Sequence, residues 1–204
     1  MQILILIPAF LVFLYCLYKV IKDDYVFIRR NISLEQVFDI ALIIIFVSLV
    51  FLKLSLFSAV LGGMAFLYII AKYKKFPLGR LFDFFTLALV VALPIGYACS
   101  AFLFRDYMLF LYGTNALLYT VFAVFSGKFI YPRLMSRELK EGSLHILFLI
   151  FFCFVSFLDL IILYQKSKFP LITVENILLV LFFFFSLFLF FKQARSGFTN
   201  RKRL

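Results

Sequence analysis

Residues 37–71 read VFDIALIIIFVSLVFLKLSLFSAVLGGMAFLYIIA, a run in which only Asp39 and Lys53 carry charge. A membrane-spanning helix takes about 20 mostly apolar residues, within a range of roughly 17–25. The run is too long for one span and too short for two generous ones. It divides at Lys53-Leu54-Ser55 into spans over 37–52 and 55–71, with Lys53 free to extend its ammonium to the membrane surface.

Outward from this pair, further apolar runs occupy 2–17, 81–104, 108–125, 144–164 and 174–191. The expected fold is all-α: a polytopic transmembrane helix bundle of seven spans, forming a single domain over residues 1–204. Composition agrees. Hydrophobic residues make up 66% of the chain, with 32 Phe, 11 Tyr and no Trp. Soluble domains sit near 45–50% apolar. The first run lacks the basic leader and small-residue cleavage site of a secretory signal, so it reads as a retained span.

The net charge of +11 would suggest nucleic acid in a soluble protein. Here its distribution carries a different message. With seven spans, one side receives Lys19, Lys22, Arg29 and Arg30, then Lys72, Lys74, Lys75 and Arg80, then Lys128, Arg133, Arg137 and Lys140. The same side takes Lys192, Arg195, Arg201, Lys202 and Arg203 of the tail, for 17 cations. Lys53, Arg105, Lys166 and Lys168 make up the 4 on the other side. The positive-inside rule then predicts an N-terminus outside and a C-terminus in the cytoplasm, and no nucleic-acid partner.

Cys16, Cys99 and Cys153 all lie in apolar runs without ligand spacing and read as packing residues. There is no phosphate loop, no nucleophile–base pair and no metal cluster, so neither cofactor nor metal is expected. Asp39 and Asp83 fall near the starts of spans, where a helix N-terminus favours negative charge. His145 is expected to reach headgroups or a nearby carboxylate. Gly62-Gly63 invites close approach of another helix, and Pro94 predicts a kink in the fourth span. Asp159 lies deeper, in Phe157-Leu158-Asp159-Leu160-Ile161. An acid in mid-span costs about 2.5–3.5 kcal/mol on insertion scales, so it requires a partner from another helix or a proton.

Several short segments, in order, resemble the bacterial prolipoprotein diacylglyceryl transferases. They are Arg29-Arg30 through Asp39, Leu61-Gly62-Gly63, the basic loop before Leu81-Phe82-Asp83, and Ile95-Gly96-Tyr97. Tyr112-Gly113-Thr114-Asn115, Glu141-Gly142-Ser143-Leu144 and Thr173-Val174-Glu175-Asn176 continue the series. The family has seven spans and an outside N-terminus. It transfers a diacylglyceryl group from phosphatidylglycerol to a lipoprotein cysteine at the outer face of the bacterial plasma membrane.

Departures accompany the likeness. Phe57-Ser58-Ala59 stands where the family has His-Gly-Gly, Tyr97 replaces the arginine of its Ile-Gly-Arg, and Val155-Ser156 replaces its Gly-Arg. The resemblance implies a phosphatidylglycerol-like phospholipid and a lipoprotein precursor as partners. Asp159 or Glu175 would take the place of the missing base. Tyr97, Ser100, Arg105, Tyr112, Thr114, Asn115 and Asn176 would hold the substrate. The alternative is a catalytically inactive relative that binds a lipid or a partner membrane protein. A transporter is disfavoured, because the first, second and seventh spans are almost wholly apolar in the middle. Convergence of Asp159, Tyr97, Asn115 and Glu175 on one cavity beside a cation would support chemistry; their dispersal would support binding.

Overall fold

The computed structural model describes residues 6–22, 24–52, 55–102, 107–167 and 173–201, and these are all-helical. The elements are α1 (Ile7–Lys22), α2 (Tyr25–Arg29), α3 (Leu34–Leu52), α4 (Leu56–Tyr73), α5 (Leu78–Ala101) and α6 (Tyr107–Phe125). A π-helical turn (Ser126–Ile130) leads into α7 (Tyr131–Met135), followed by α8 (Ser143–Ser167) and α9 (Val174–Arg201). Six stretches are long and apolar enough to cross a membrane: α3, α4, α5, the continuous run Met108–Met135, α8 and α9. The chain is thus a multi-pass membrane protein. The sequence placed the first span at 2–17; residues 2–5 lie outside the described part, and α1 runs on to Lys22.

The division of residues 37–71 is visible as two helices. Ser55 caps α4, its hydroxyl accepting the Ser58 N–H at 3.0 Å. α3 begins three residues before the expected start because Ser33 and Gln36 form a reciprocal cap. The Ser33 hydroxyl accepts the Gln36 N–H at 3.2 Å, and Gln36 Oε1 accepts the Ser33 N–H at 3.3 Å. α3 and α4 then pack on each other through the two glycines. A Cβ at Gly62 would lie 2.7 Å from Phe51 Cδ2, and one at Gly63 would crowd Ser48 and lie 3.4 Å from Ile44 Cγ2.

Three helices outlast their expected ends. Lys19 and Lys22 ride on the last turn of α1, each over a tyrosine one turn earlier, at 5.7 Å from the Tyr15 and Tyr18 ring centroids. Cations suit a helix C-terminus, so they extend the helix instead of ending it. The fifth span was expected to end at Phe125, before the basic stretch that begins at Lys128. The helix instead widens into a π turn, in which Tyr131 N–H bonds Ser126 O, and Pro132 enters at the start of the next helical segment. A proline there gives up no needed donor. α9 likewise continues beyond residue 191 to Arg201.

α5 is the hub, packing against α1, α4, α6 and α8. Half of its 24 residues are buried. One core lies between α1, α3 and α5, around Leu17, Val37, Ile40 and Phe84. A second, aromatic core lies between α5, α6 and α8. There Phe122 and Phe151 stack at 4.4 Å and Tyr97 and Tyr119 at 5.4 Å. α9 is the most peripheral helix, with Phe184, Phe185, Phe188 and Phe191 exposed as expected of lipid-facing positions.

Gly63→Leu should therefore splay the α3–α4 hairpin and destabilise the protein by about 1–3 kcal/mol, the usual cost of overpacking. Gly113, with nothing within 4 Å of its would-be Cβ, serves as the control. Gly113→Ala should be neutral or stabilising by up to roughly 1 kcal/mol. Thermal unfolding in detergent reads both.

Candidate functional site

α5 carries polar groups at each end and an apolar face between them. At its Arg80 end, the guanidinium Nη2 lies 2.6 Å from Asp24 Oδ2, and Nε donates to the same oxygen at 2.8 Å. Both residues are buried. Asp24 also accepts the Val26 and Phe27 N–H groups, capping α2. Arg80 reaches Glu141 at 3.6 Å and lies over the Phe84 ring. The sequence count had treated Arg80 as a loop cation; it is a buried clasp.

Asp83 sits one turn along. It was expected in the first turn of its own helix, but it is the sixth residue of α5 and caps a different one. Its carboxylate accepts the Gly142 N–H at 2.6 Å and the His145 N–H at 3.1 Å, the unpaired donors at the start of α8. Asp39 is likewise the sixth residue of α3, and it is exposed. The His145 side chain shares a 2.6 Å hydrogen bond through Nδ1 with Thr86 Oγ1 and packs on Phe82. Its Nε2 is sealed from solvent with no partner among the described residues.

At the Ser100 end, Asn115 of α6 meets Asp159 of α8. The amide Nδ2 donates to both carboxylate oxygens, at 2.8 and 3.0 Å. This is the partner from another span that Asp159 required. Asn115 is buried and Asp159 half-buried. Tyr112 and Tyr119 lie about one turn to either side of Asn115 on α6, and Tyr97 of α5 packs against both rings, at 6.0 and 5.4 Å. The Ser100 hydroxyl donates to Gly96 O at 2.8 Å.

Between the two ends runs a cavity of about 520 Å³, walled by α1, α3, α4 and α5 with contributions from α6 and α8. Its lining on α5 extends from Phe82 to Ser100. Eighteen steps of about 1.5 Å each make it roughly 27 Å long. That is close to the ~30 Å hydrocarbon thickness of a bilayer. The wall is apolar apart from Ser48, Thr86 and His145 and, at the far end, Tyr97, Ser100 and Tyr112.

The residues singled out from sequence therefore divide. Tyr97, Ser100 and Tyr112 line the cavity; Asn115 and Asp159 pair beside it. Thr114 is half-buried on α6 outside the cavity wall. Glu175 is exposed in the first turn of α9. The Asn176 N–H bonds Thr173 Oγ1 at 3.2 Å, a helix cap. Arg105, Lys53 and Lys168 lie outside the described residues, as does the Lys166 side chain. Sequence reasoning missed Asp24, Arg80 and Thr86, whose partners lie far along the chain. The capping signature Asp24-Tyr25-Val26-Phe27 was the one local hint.

No family model matches the chain, and neither characterised proteins nor solved structures give a match.

Arg80→Met strands a buried Asp24 and should cost about 3–5 kcal/mol. Adding Asp24→Asn removes the stranded charge, so the double variant should recover part of that loss. Denaturation midpoints of the single and double variants in detergent measure the coupling.

Proposed function

We propose that this chain is a seven-span protein of the bacterial plasma membrane, N-terminus outside and C-terminus cytoplasmic, that holds an outer-leaflet phospholipid by one acyl chain. The cavity carries this reading. It has apolar walls and runs along α5 for about the hydrocarbon thickness of a bilayer. Its volume lies within the ~300–1,000 Å³ range of small-molecule pockets. The 17-to-4 division of cations supports the orientation, which sets the Ser100 end toward the outer surface.

The resemblance to the diacylglyceryl transferases suggests a shared plan, and the site geometry favours binding over transfer. Transfer to a thiol needs a base to take its proton and cations for the leaving phosphate. Asp159 is engaged by Asn115, and Glu175 stands exposed on another helix. Among the described residues no Lys or Arg lines the cavity. The binding reading is therefore that of a relative without the catalytic set.

Native mass spectrometry of the purified full chain should show one retained phospholipid. Leu89→Phe and Leu93→Phe, which narrow the channel midway, should lower its occupancy several-fold, roughly the 1–2 kcal/mol of lost chain burial. Unchanged occupancy would sink the cavity as the binding site. Expression in cells depleted of the transferase should leave lipoprotein precursors unmodified; their modification would overturn the binding-only reading in favour of an enzyme.

A further inference from the structure

We infer that the Ser100 end of the cavity selects a phospholipid whose headgroup carries a primary ammonium, as in phosphatidylethanolamine, over one with a purely anionic headgroup. This rests on the lipid-binding reading above and specifies its ligand.

The first observation is a mid-bundle acid whose hydrogen-bond partner among the described residues is neutral. Asp159 lies in a membrane-spanning helix, where an acid ordinarily pairs with a cation or lines a polar path. Its partner is a neutral amide. Among the described residues no cation lies within 4 Å of it. Both oxygens accept from Asn115 Nδ2.

The second observation is position. Asn115 follows Tyr112 by one turn of α6, and Tyr112 and Tyr97 are cavity wall. Asp159 is in electrostatic range of Tyr97, Tyr112 and Tyr119. It therefore stands behind the tyrosines at this end of the cavity and makes the potential there negative. Surroundings of low dielectric let that potential reach across a ring's thickness. Tyrosine faces add to it, because the π system presents negative charge to a cation.

The third observation separates primary from quaternary ammonium. Tyr97 and Tyr119 stack on each other with planes 10° apart, so they do not form the open aromatic box that a trimethylammonium group requires. The groups of the wall at this end are oxygens, the Ser100 hydroxyl and the tyrosine hydroxyls, with the carboxylate behind them. Oxygens suit a group with three N–H donors.

The full chain would be incorporated into nanodiscs of equal phosphatidylethanolamine, phosphatidylcholine and phosphatidylglycerol with matched acyl chains. It would then be extracted in mild detergent and the retained lipid quantified by mass spectrometry. Phosphatidylethanolamine should exceed phosphatidylglycerol by roughly tenfold, the effect of a single charge contact across a few ångström of protein. Asp159→Asn keeps the shape and should bring the ratio to that of the input. A second arm needs no variant: N-acetylated phosphatidylethanolamine, which lacks the ammonium, should lose its advantage on the wild-type chain. Equal retention of phosphatidylglycerol, or a preference that survives either Asp159→Asn or N-acetylation, overturns the headgroup assignment and leaves lipid binding standing. No retained lipid in any arm overturns lipid binding and the assignment with it.

Discussion

The buried ion pair between Arg80 and Asp24 fixes the geometry on which the rest of the bundle depends. Asp24 ends the short link after α1 and caps α2, while Arg80 stands in the first turn of α5. Their contact ties the first helix to the hub. One turn further, Asp83 caps α8. Gly79 permits this junction, because a Cβ there would lie 3.0 Å from the Glu141 backbone carbon. A buried pair of this kind seldom adds much stability over an apolar substitute, since desolvation consumes most of the attraction. What it supplies is position. Three helices that are apolar nearly all round have little else to set their axial register against one another.

The cavity follows from that register. Along the shared face stand Ala9 on α1, Ala59 and Gly63 on α4, and Ala92 and Gly96 on α5, all of them in its wall. Small residues in membrane helices usually bring backbones together. Gly62 and Gly63 do so between α3 and α4, and Gly96 lets α5 approach α1, where a Cβ would lie 3.6 Å from that of Ala9. With the Arg80 end clasped and the hub packed on the opposite side by α6 and α8, these helices cannot close the gap by sliding. An apolar void of this size in a bilayer protein has an abundant filler at hand in lipid chains.

Six of the spans were legible because they are set by composition and length, and bilayer thickness leaves little latitude. The division at Lys53 was legible for the same reason. Helix ends were less so. Gly127 and Pro132 carry a breaker signal that a π turn absorbs, and Lys19 and Lys22 look like loop charges until the helix dipole is considered. Ser33-Leu34-Glu35-Gln36 held a readable capping box that was passed over as polar linker. The long-range polar contacts were hidden for a different reason. Nothing within a few residues of Arg80 or Asp83 says that the first meets Asp24 and the second the start of α8. Asp159 announced that it needed a partner, and Asn115 was already among the candidate residues. Only the packing of α6 on α8 joins them.

Magnitudes decide how the Asn115–Asp159 pair is to be understood. Placing an acid within a span costs about 2.5–3.5 kcal/mol. A hydrogen bond to a charged group returns about 1.5–3 kcal/mol. The single amide of Asn115 thus at best offsets the insertion cost, and two apolar residues would fill the same space without it. The Arg80 end differs, because there an opposite charge and three further contacts share the load. Stability therefore accounts for the polar residues at the Arg80 end and leaves Asp159 unexplained. Its place beside the tyrosine wall, at one end of the apolar cavity, is what the proposed headgroup contact rests on.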